Sequence, residues 1–352
     1  MTDDVLLSLE NGVGRIRLNR PKAIHALTPE MCSAINDSLL AWEEDDRVAA
    51  VMIDHAEGRG FCAGGDIALL ANSAKADCTE AEHFFRQEYR MNHLLFIYEK
   101  PIVAFIDGIV MGGGVGISLP ARYRVATERT TFAMPETGIG LFPDVGGGWF
   151  LPRLPGRAGT WLATTGARIR GADAAALGLA THYMASEKLE AVKARIIADP
   201  TRLADILGEA ADPVPASQWE ADRSCIDRLF ASDRLEEILA ALKADDSDFA
   251  QAQLASLATK SPQTVKVALR QLKEGGAFTD FADNMRNEFR IACHVIRRPD
   301  FVEGVRAVIF DKDNTPKWDP ATPQEVTDEL IDSLFAPLPP EKEWTPLPQK
   351  GV

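Results

Sequence analysis

Apolar and polar residues alternate over residues 5–9 and again over 13–18, and the two runs flank Asn11-Gly12. A period of two on both sides of Asn-Gly predicts a β-hairpin. The period then lengthens: Met31, Ile35, Leu39 and Trp42 fall on one face of a helix expected to reach about Glu44. Thr28-Pro29 supplies its capping hydroxyl and a proline at the first helical position. An apolar run over residues 49–54 predicts a buried strand, and strand, helix, strand in that order implies parallel pairing by a crossover. Residues 79–98 carry Phe84, Phe85, Tyr89, Leu94 and Leu95 at helical spacing as core, and Glu88 shares that face, so an inward carboxylate is expected there. Further strands are predicted after Pro101 and at 122–127 and 181–184, with helices at 157–165 and 172–179. Beyond about Ser186 the strand signal stops. A helical stretch follows, broken at residues 212–215 and ending in a proline-studded tail from Pro337. The expected organisation is an α/β core over residues 1–200 and a mainly helical region over 201–352.

Three stretches have no period. Residues 131–154, TFAMPETGIGLFPDVGGGWFLPRL, set Glu136 and Asp144, each after a proline, among Gly138, Gly140, Gly146, Gly147 and Gly148. Such a run is a shaped loop, either a binding loop or a tight crossover whose acids cap the following turns. Gly112-Gly113-Gly114 follows the strand after Pro101 and opens a short apolar helix. GRGFCAGGD, residues 58–66, repeats the arrangement after the strand at 49–54. Free N–H groups at two such corners can meet one developing oxyanion.

The 352 residues, 46% hydrophobic and 26% charged, suffice for a large core. A net charge of −14 argues against nucleic acid or an anionic membrane as partner. The acidic start MTDDVLLSLENG has neither a signal-like nor a transit-like pattern, and five scattered cysteines, Cys32, Cys62, Cys78, Cys225 and Cys293, fit a reduced compartment, so a cytoplasmic protein is expected. The six histidines have no metal-binding spacing, and neither a complete GxGxxG nor a P-loop occurs. FDKDNT at residues 310–315 resembles a phosphatase nucleophile motif, but too little chain follows to build that fold, and an exposed turn is expected. Cys62 is read as a packing residue.

FCAGGDI (61–67), the glycine triplet and MPETGIGLFPDVGG (134–147), in this order and spacing, resemble the crotonase, or enoyl-CoA hydratase/isomerase, superfamily. LNRPKAIHAL, FFRQEY and EGVRAVIFDKDNTPKW extend the similarity along nearly the whole chain. The resemblance implies a crotonase-like ββα spiral core with a helical C-terminal region covering the acyl pocket or making contacts in a homo-oligomer. It implies an acyl-CoA substrate and no metal or redox cofactor, coenzyme A being part of the substrate. It places the oxyanion donors at the Gly65 and Gly113 amides, the catalytic carboxylate at Glu136, and Asp144 and Glu88 in the acyl pocket. Lys22, with Arg20 and Arg59, stands in loops near the expected phosphates of coenzyme A.

Two positions depart from the superfamily pattern. Gly116 stands where hydratases carry a second acid, which removes half of the pair needed to add water across a double bond. His25 replaces an asparagine. The implied reaction is hydrolysis of a short 3-hydroxyacyl thioester, with Glu136 as nucleophile or general base and Asp144 accepting from the 3-hydroxyl. A hydratase or isomerase, or a non-catalytic ester binder, is the alternative.

Overall fold

The computed structural model describes residues 2–347. Its strands in chain order are β1 (Val5–Glu10), β2 (Val13–Leu18), β3 (Ala50–His55), β4 (Gly60–Cys62), β5 (Ile102–Phe105), β6 (Ile109–Met111), β7 (Tyr123–Ala126), β8 (Thr131–Ala133), β9 (Ile169–Arg170) and β10 (His182–Tyr183). The hairpin forms as its pattern predicts, with Asn11 at φ 47° and Gly12 at φ 86° in the left-handed region that a two-residue turn requires. Beyond this pair the large sheet, ordered β1-β2-β3-β5-β7-β10, is parallel.

Its central strands are buried on both faces, and the period of two sorts their side chains. Val51, Ile53, Ile102 and Ala104 point into the main core with α1 (Pro29–Glu43). Ala50, Met52, Val103 and Phe105 point to the opposite face, where the helices Leu189–Ala198 and Leu203–Ala210 cover them. α1 is capped by the Thr28 hydroxyl, which accepts from the Met31 N–H at 3.3 Å.

A second sheet, ordered β4-β6-β8-β9, was not expected. Strands of two or three residues carry no readable period. β4, β6 and β8 are parallel neighbours, so their carboxyl ends lie side by side. Three times in succession a strand of the large sheet is followed by one of the small sheet (β3-β4, β5-β6, β7-β8). After β4 and β6 the chain turns through glycines into α2 (Ile67–Ala74), capped by Asp66, and α4 (Gly113–Gly116). α3 (Thr79–Ile97) lies between these two turns of the spiral. The stretch 131–154, read as an aperiodic loop, contains β8, a 3-10 turn over Glu136–Ile139 and the short helix α5 (Gly147–Phe150).

Beyond β10 the described chain is mainly helical, and two of its helices, Pro262–Gly275 and Phe281–Val295, pack back against α3 and α5. The tail crosses α3: Arg86 donates to the carbonyls of Lys342 and Glu343 at 2.5 and 2.9 Å, and Arg290 pairs with Glu343 at 2.8 Å. Trp344 is fully buried, edge-on to His93. The end of the proline-studded tail lies outside the described residues. No described helix is long and apolar enough to cross a membrane.

Candidate active site

The carboxyl edge of the small sheet builds the site. β4 runs into Gly64-Gly65, β6 into Gly112-Gly113, and β8 through Met134-Pro135 into Glu136. The corners nearly touch: a Cβ on Gly64 would lie 3.7 Å from the Gly113 nitrogen and 3.8 Å from the Gly112 Cα. A Cβ on Gly113 would lie only 2.5 Å from Glu88 Oε1 and 3.2 Å from the Gly64 carbonyl carbon, so this contact requires glycine. Among the described residues neither the Gly65 nor the Gly113 N–H has a hydrogen-bond partner.

These groups line one cavity with about 70 Å³ of water-accessible room. That is space for a few waters or a short acyl chain. Its walls are Gly64, Gly65, Gly112, Gly113, Glu136 and Asp144 on the corner and loop side, facing Phe84, Phe85 and Glu88 of α3. Of the predicted site residues, Gly65, Gly113, Glu88, Glu136 and Asp144 therefore come together. Lys22 does not: it is exposed on a 3-10 turn outside the cavity wall. Arg59 is exposed, and Arg20 is held by Asp66 at 2.8 Å and by the Ala26 carbonyl.

Three buried carboxyls share this space. Glu136 Oε2 and Glu88 Oε1 have no hydrogen-bond partner among the described residues. A buried carboxyl oxygen left unpaired is costly and marks a place where a ligand or water group belongs. Burial, and then the Asp144 charge, hold Glu136 well above the usual carboxylate range. Glu88 is raised in the same way, by burial first and by Asp144 and Glu136 after it. Burial also lifts Asp144, to about 6, although the Tyr89 hydroxyl donates to its Oδ2 at 2.7 Å and opposes the shift. Like charges this close do not all ionise together. Lys260 is the nearby cation that eases the charge on Glu136; its Nζ lies 3.4 Å from where a Cβ on Gly138 would sit.

The space beside Gly116 is already filled. A Cβ there would lie 2.6 Å from Val145 Cβ and 2.7 Å from Asn92 Nδ2. A second acid has no room at this corner.

The sequence matches the family model for enoyl-CoA hydratase/isomerase over residues 13–335. The chain belongs to the enoyl-CoA hydratase/isomerase family. Among curated relatives of this family member, the "3-hydroxyisobutyryl-CoA hydrolase, mitochondrial" of Gallus gallus is 44% identical, over 95% of this chain and 89% of the relative. The protein of the same name from Rattus norvegicus is 44% identical, over 96% and 90%. Among solved structures, a carnitinyl-CoA dehydratase from Mycobacterium thermoresistibile superposes with a TM-score of 0.93 at 43% identity, covering 98% of this chain and 99% of that one. The crotonase-like core expected from the glycine corners is thus present.

One expectation is corrected. The relatives from Gallus gallus and Rattus norvegicus are named as mitochondrial proteins, so the cytoplasmic assignment does not stand. Reduced cysteines do not distinguish one reducing compartment from another.

Several residues of this family member's site carry no signal that the sequence pattern makes plain. Tyr89 fits the pattern of core packing, and its ring is indeed fully buried, but its hydroxyl holds Asp144. Lys260 and Glu288 sit in the helical C-terminal region, far from any motif. Glu288 falls on the apolar stripe of Phe281, Met285, Phe289 and Ala292, and an acid on such a stripe is the signal that revealed Glu88. Cys62 packs as expected; burial pushes its thiol up to about 12, which makes it a poor nucleophile. Asp311 and Asp313 lie on an exposed turn, both accepting from Arg306 at 2.7 Å. His25, at φ 56° in place of the usual asparagine, is a buried neutral imidazole. It accepts from the Arg20 N–H at 2.9 Å, and its Nε2 lies 2.8 Å from the Glu57 carbonyl.

Proposed function

We propose that this protein hydrolyses 3-hydroxyisobutyryl-CoA, or a close 3-hydroxyacyl thioester, to the free acid and coenzyme A. Near-full-length identity to hydrolases of that name supports the reading. The observation that carries it against a hydratase is Gly116, whose surroundings leave no place for the second acid. The name of the Mycobacterium structure, a dehydratase, makes lyase chemistry the reading to test against.

In the scheme, the thioester carbonyl sits between the Gly65 and Gly113 amides, which meet the charge of the tetrahedral intermediate and lower the barrier by about 3 kcal/mol each. Glu136 supplies the carboxylate. Either it attacks the carbonyl carbon, expelling the thiolate and leaving an anhydride that water cleaves, or it takes a proton from the water that attacks. In single-turnover hydrolysis in 18O-labelled water, an unlabelled first product identifies the anhydride route with water adding at the Glu136 carbonyl, since direct attack by water always labels the product. Asp144, fixed by Tyr89, accepts from the substrate 3-hydroxyl. A buried acid left unpaired by an analogue without that hydroxyl penalises the analogue. The scheme uses only groups of this chain and water.

The test is thiol release from 3-hydroxyisobutyryl, 3-hydroxypropionyl and crotonyl thioesters of coenzyme A. Thiol is expected from the two hydroxylated esters. Loss of crotonyl absorbance without thiol release would instead make the protein a hydratase.

Asp144→Ala is expected to lower kcat/KM for the hydroxylated esters by about 100-fold while the unsubstituted butyryl ester loses about threefold or less. Equal losses would remove the hydroxyl role. The pH dependence follows from the same group. Because its carboxyl ionises at about 6 instead of the ordinary 3.8, the preference for hydroxylated over plain esters should rise with pH through about 6 and fade below it. A preference unchanged from pH 5 to pH 8 would contradict this.

A further inference from the structure

Behind the loop that carries Asp144 lies a fourth buried carboxyl outside the cavity wall. Glu288, in the middle of the helix Phe281–Val295, has no exposed surface. Its Oε2 accepts from the Gly146 N–H at 2.8 Å and its Oε1 from the Gly148 N–H at 2.9 Å. Oε1 also accepts from Asn284 Nδ2 at 3.0 Å and Gln271 Nε2 at 3.1 Å, and the same Gln271 nitrogen donates to the Pro143 carbonyl at 2.8 Å. Four donors and no acceptor surround the group, which favours an acceptor-only carboxylate, although burial opposes ionisation and lifts the carboxyl to about 8 against the Gly146, Gly148 and Asn284 donors.

These contacts grip the chain on both sides of Asp144. The carbonyl just before it is held by Gln271, and the amides two and four residues after it are held by Glu288. Between them Val145 stands at φ 51°, a left-handed conformation that a β-branched side chain adopts only when its surroundings impose it. The Asp144 carboxyl itself is held by the Tyr89 hydroxyl. The backbone under the acid is therefore set from the C-terminal helices.

We propose that Glu288 is a positioning residue for substrate selection: through the Gly146 and Gly148 amides it fixes where the Asp144 carboxylate stands, and so decides whether the site distinguishes a 3-hydroxyacyl ester from a plain acyl ester. This rests on the hydroxyl-binding role proposed for Asp144. A carboxamide in its place presents at least one N–H to a glycine N–H, so one clamp must open.

The test is Glu288→Gln in the full chain, with two readouts. The first is the ratio of kcat/KM for 3-hydroxyisobutyryl-CoA and isobutyryl-CoA. The hydroxylated ester is expected to lose about 100-fold, as a displacement of about 1 Å does, while the plain ester loses about threefold or less. The second is a crystal structure of the variant, in which Asp144 is expected to have left the Tyr89 hydroxyl. Glu288→Asp, which keeps the carboxyl and draws its oxygens back by one methylene, should fall between wild type and Gln in both, and serves alone if the Gln variant does not fold. Equal losses on both esters, or Asp144 unmoved, would reduce Glu288 to a structural role. If the wild type itself releases no thiol, the hydrolase reading fails, and the displacement of Asp144 alone then upholds or overturns the clamp.

Discussion

Glu136→Gln should lower thioester hydrolysis by at least about 1,000-fold, toward the upper range for removal of a positioned acid or base. The change is isosteric and falls on a turn packed against the Gly112-Gly113 corner, so the cavity keeps its shape. It is also expected to relieve the site electrostatically. Glu136 is a buried carboxyl with an unpartnered oxygen, next to two other acids. A neutral amide carries less of the cost of burial and repels Asp144 less. Binding of the CoA ester should therefore stay within about threefold of wild type, or tighten, while turnover collapses. Thiol-release kinetics with calorimetric titration of a non-hydrolysable thioether analogue read both quantities. Turnover within tenfold of wild type would end the assignment of Glu136.

Gly113→Ala tests the other half of the machinery. The added methyl would stand 2.5 Å from Glu88 Oε1, 3.0 Å from Leu27 Cδ1 and 3.2 Å from the Gly64 carbonyl carbon. The carboxyl is the tip of a side chain that borders the cavity and can give way in part. Leu27 and Gly64 belong to the corner itself, tied together by the Leu27 N–H to Gly64 carbonyl bond of 2.8 Å. To admit the methyl, the corners must part, and the Gly65 and Gly113 amides proposed to meet the oxyanion would be displaced from one another. The expected loss in kcat/KM is about 100- to 1,000-fold, the effect of removing one oxyanion donor, together with about 1–3 kcal/mol of stability from overpacking. Gly208→Ala is the control. That position, in the helix Leu203–Ala210, has nothing within 4 Å of where the new methyl would sit, and the substitution should leave activity unchanged and stability equal or higher. An active Gly113→Ala enzyme would mean that the oxyanion is met elsewhere.

The parts legible in the sequence were those with a local signature. Asn11-Gly12 set the hairpin, Thr28-Pro29 started its helix, and the glycine pair at 64–65 and triplet at 112–114 marked corners because no other residue allows such backbone approach. Glu88 was legible because it broke an apolar face. The small sheet was not legible, although it is what aligns the corners: strands of two or three residues, such as Ile109–Met111, are defined by partners far away in the chain. Tyr89 misled for another reason. An aromatic ring on a buried helix face satisfies the pattern for core, and only its hydrogen bond to Asp144 shows that the hydroxyl has a task. Lys260 and Glu288 reach the site from helices whose order along the chain says nothing of where they dock.

The crossing of α3 by the last described residues gives the molecule a closed mechanical circuit. The helix that presents Glu88 and Tyr89 is gripped from outside by the segment around residues 342–345, through Arg86, Arg90 and the Trp344 indole, while its inner face forms a wall of the cavity. That segment and the buried acids are thus neighbours, separated by the thickness of a single helix. Residue 344 and the acids of the site therefore pack against the same helix, with no glycine corner between them.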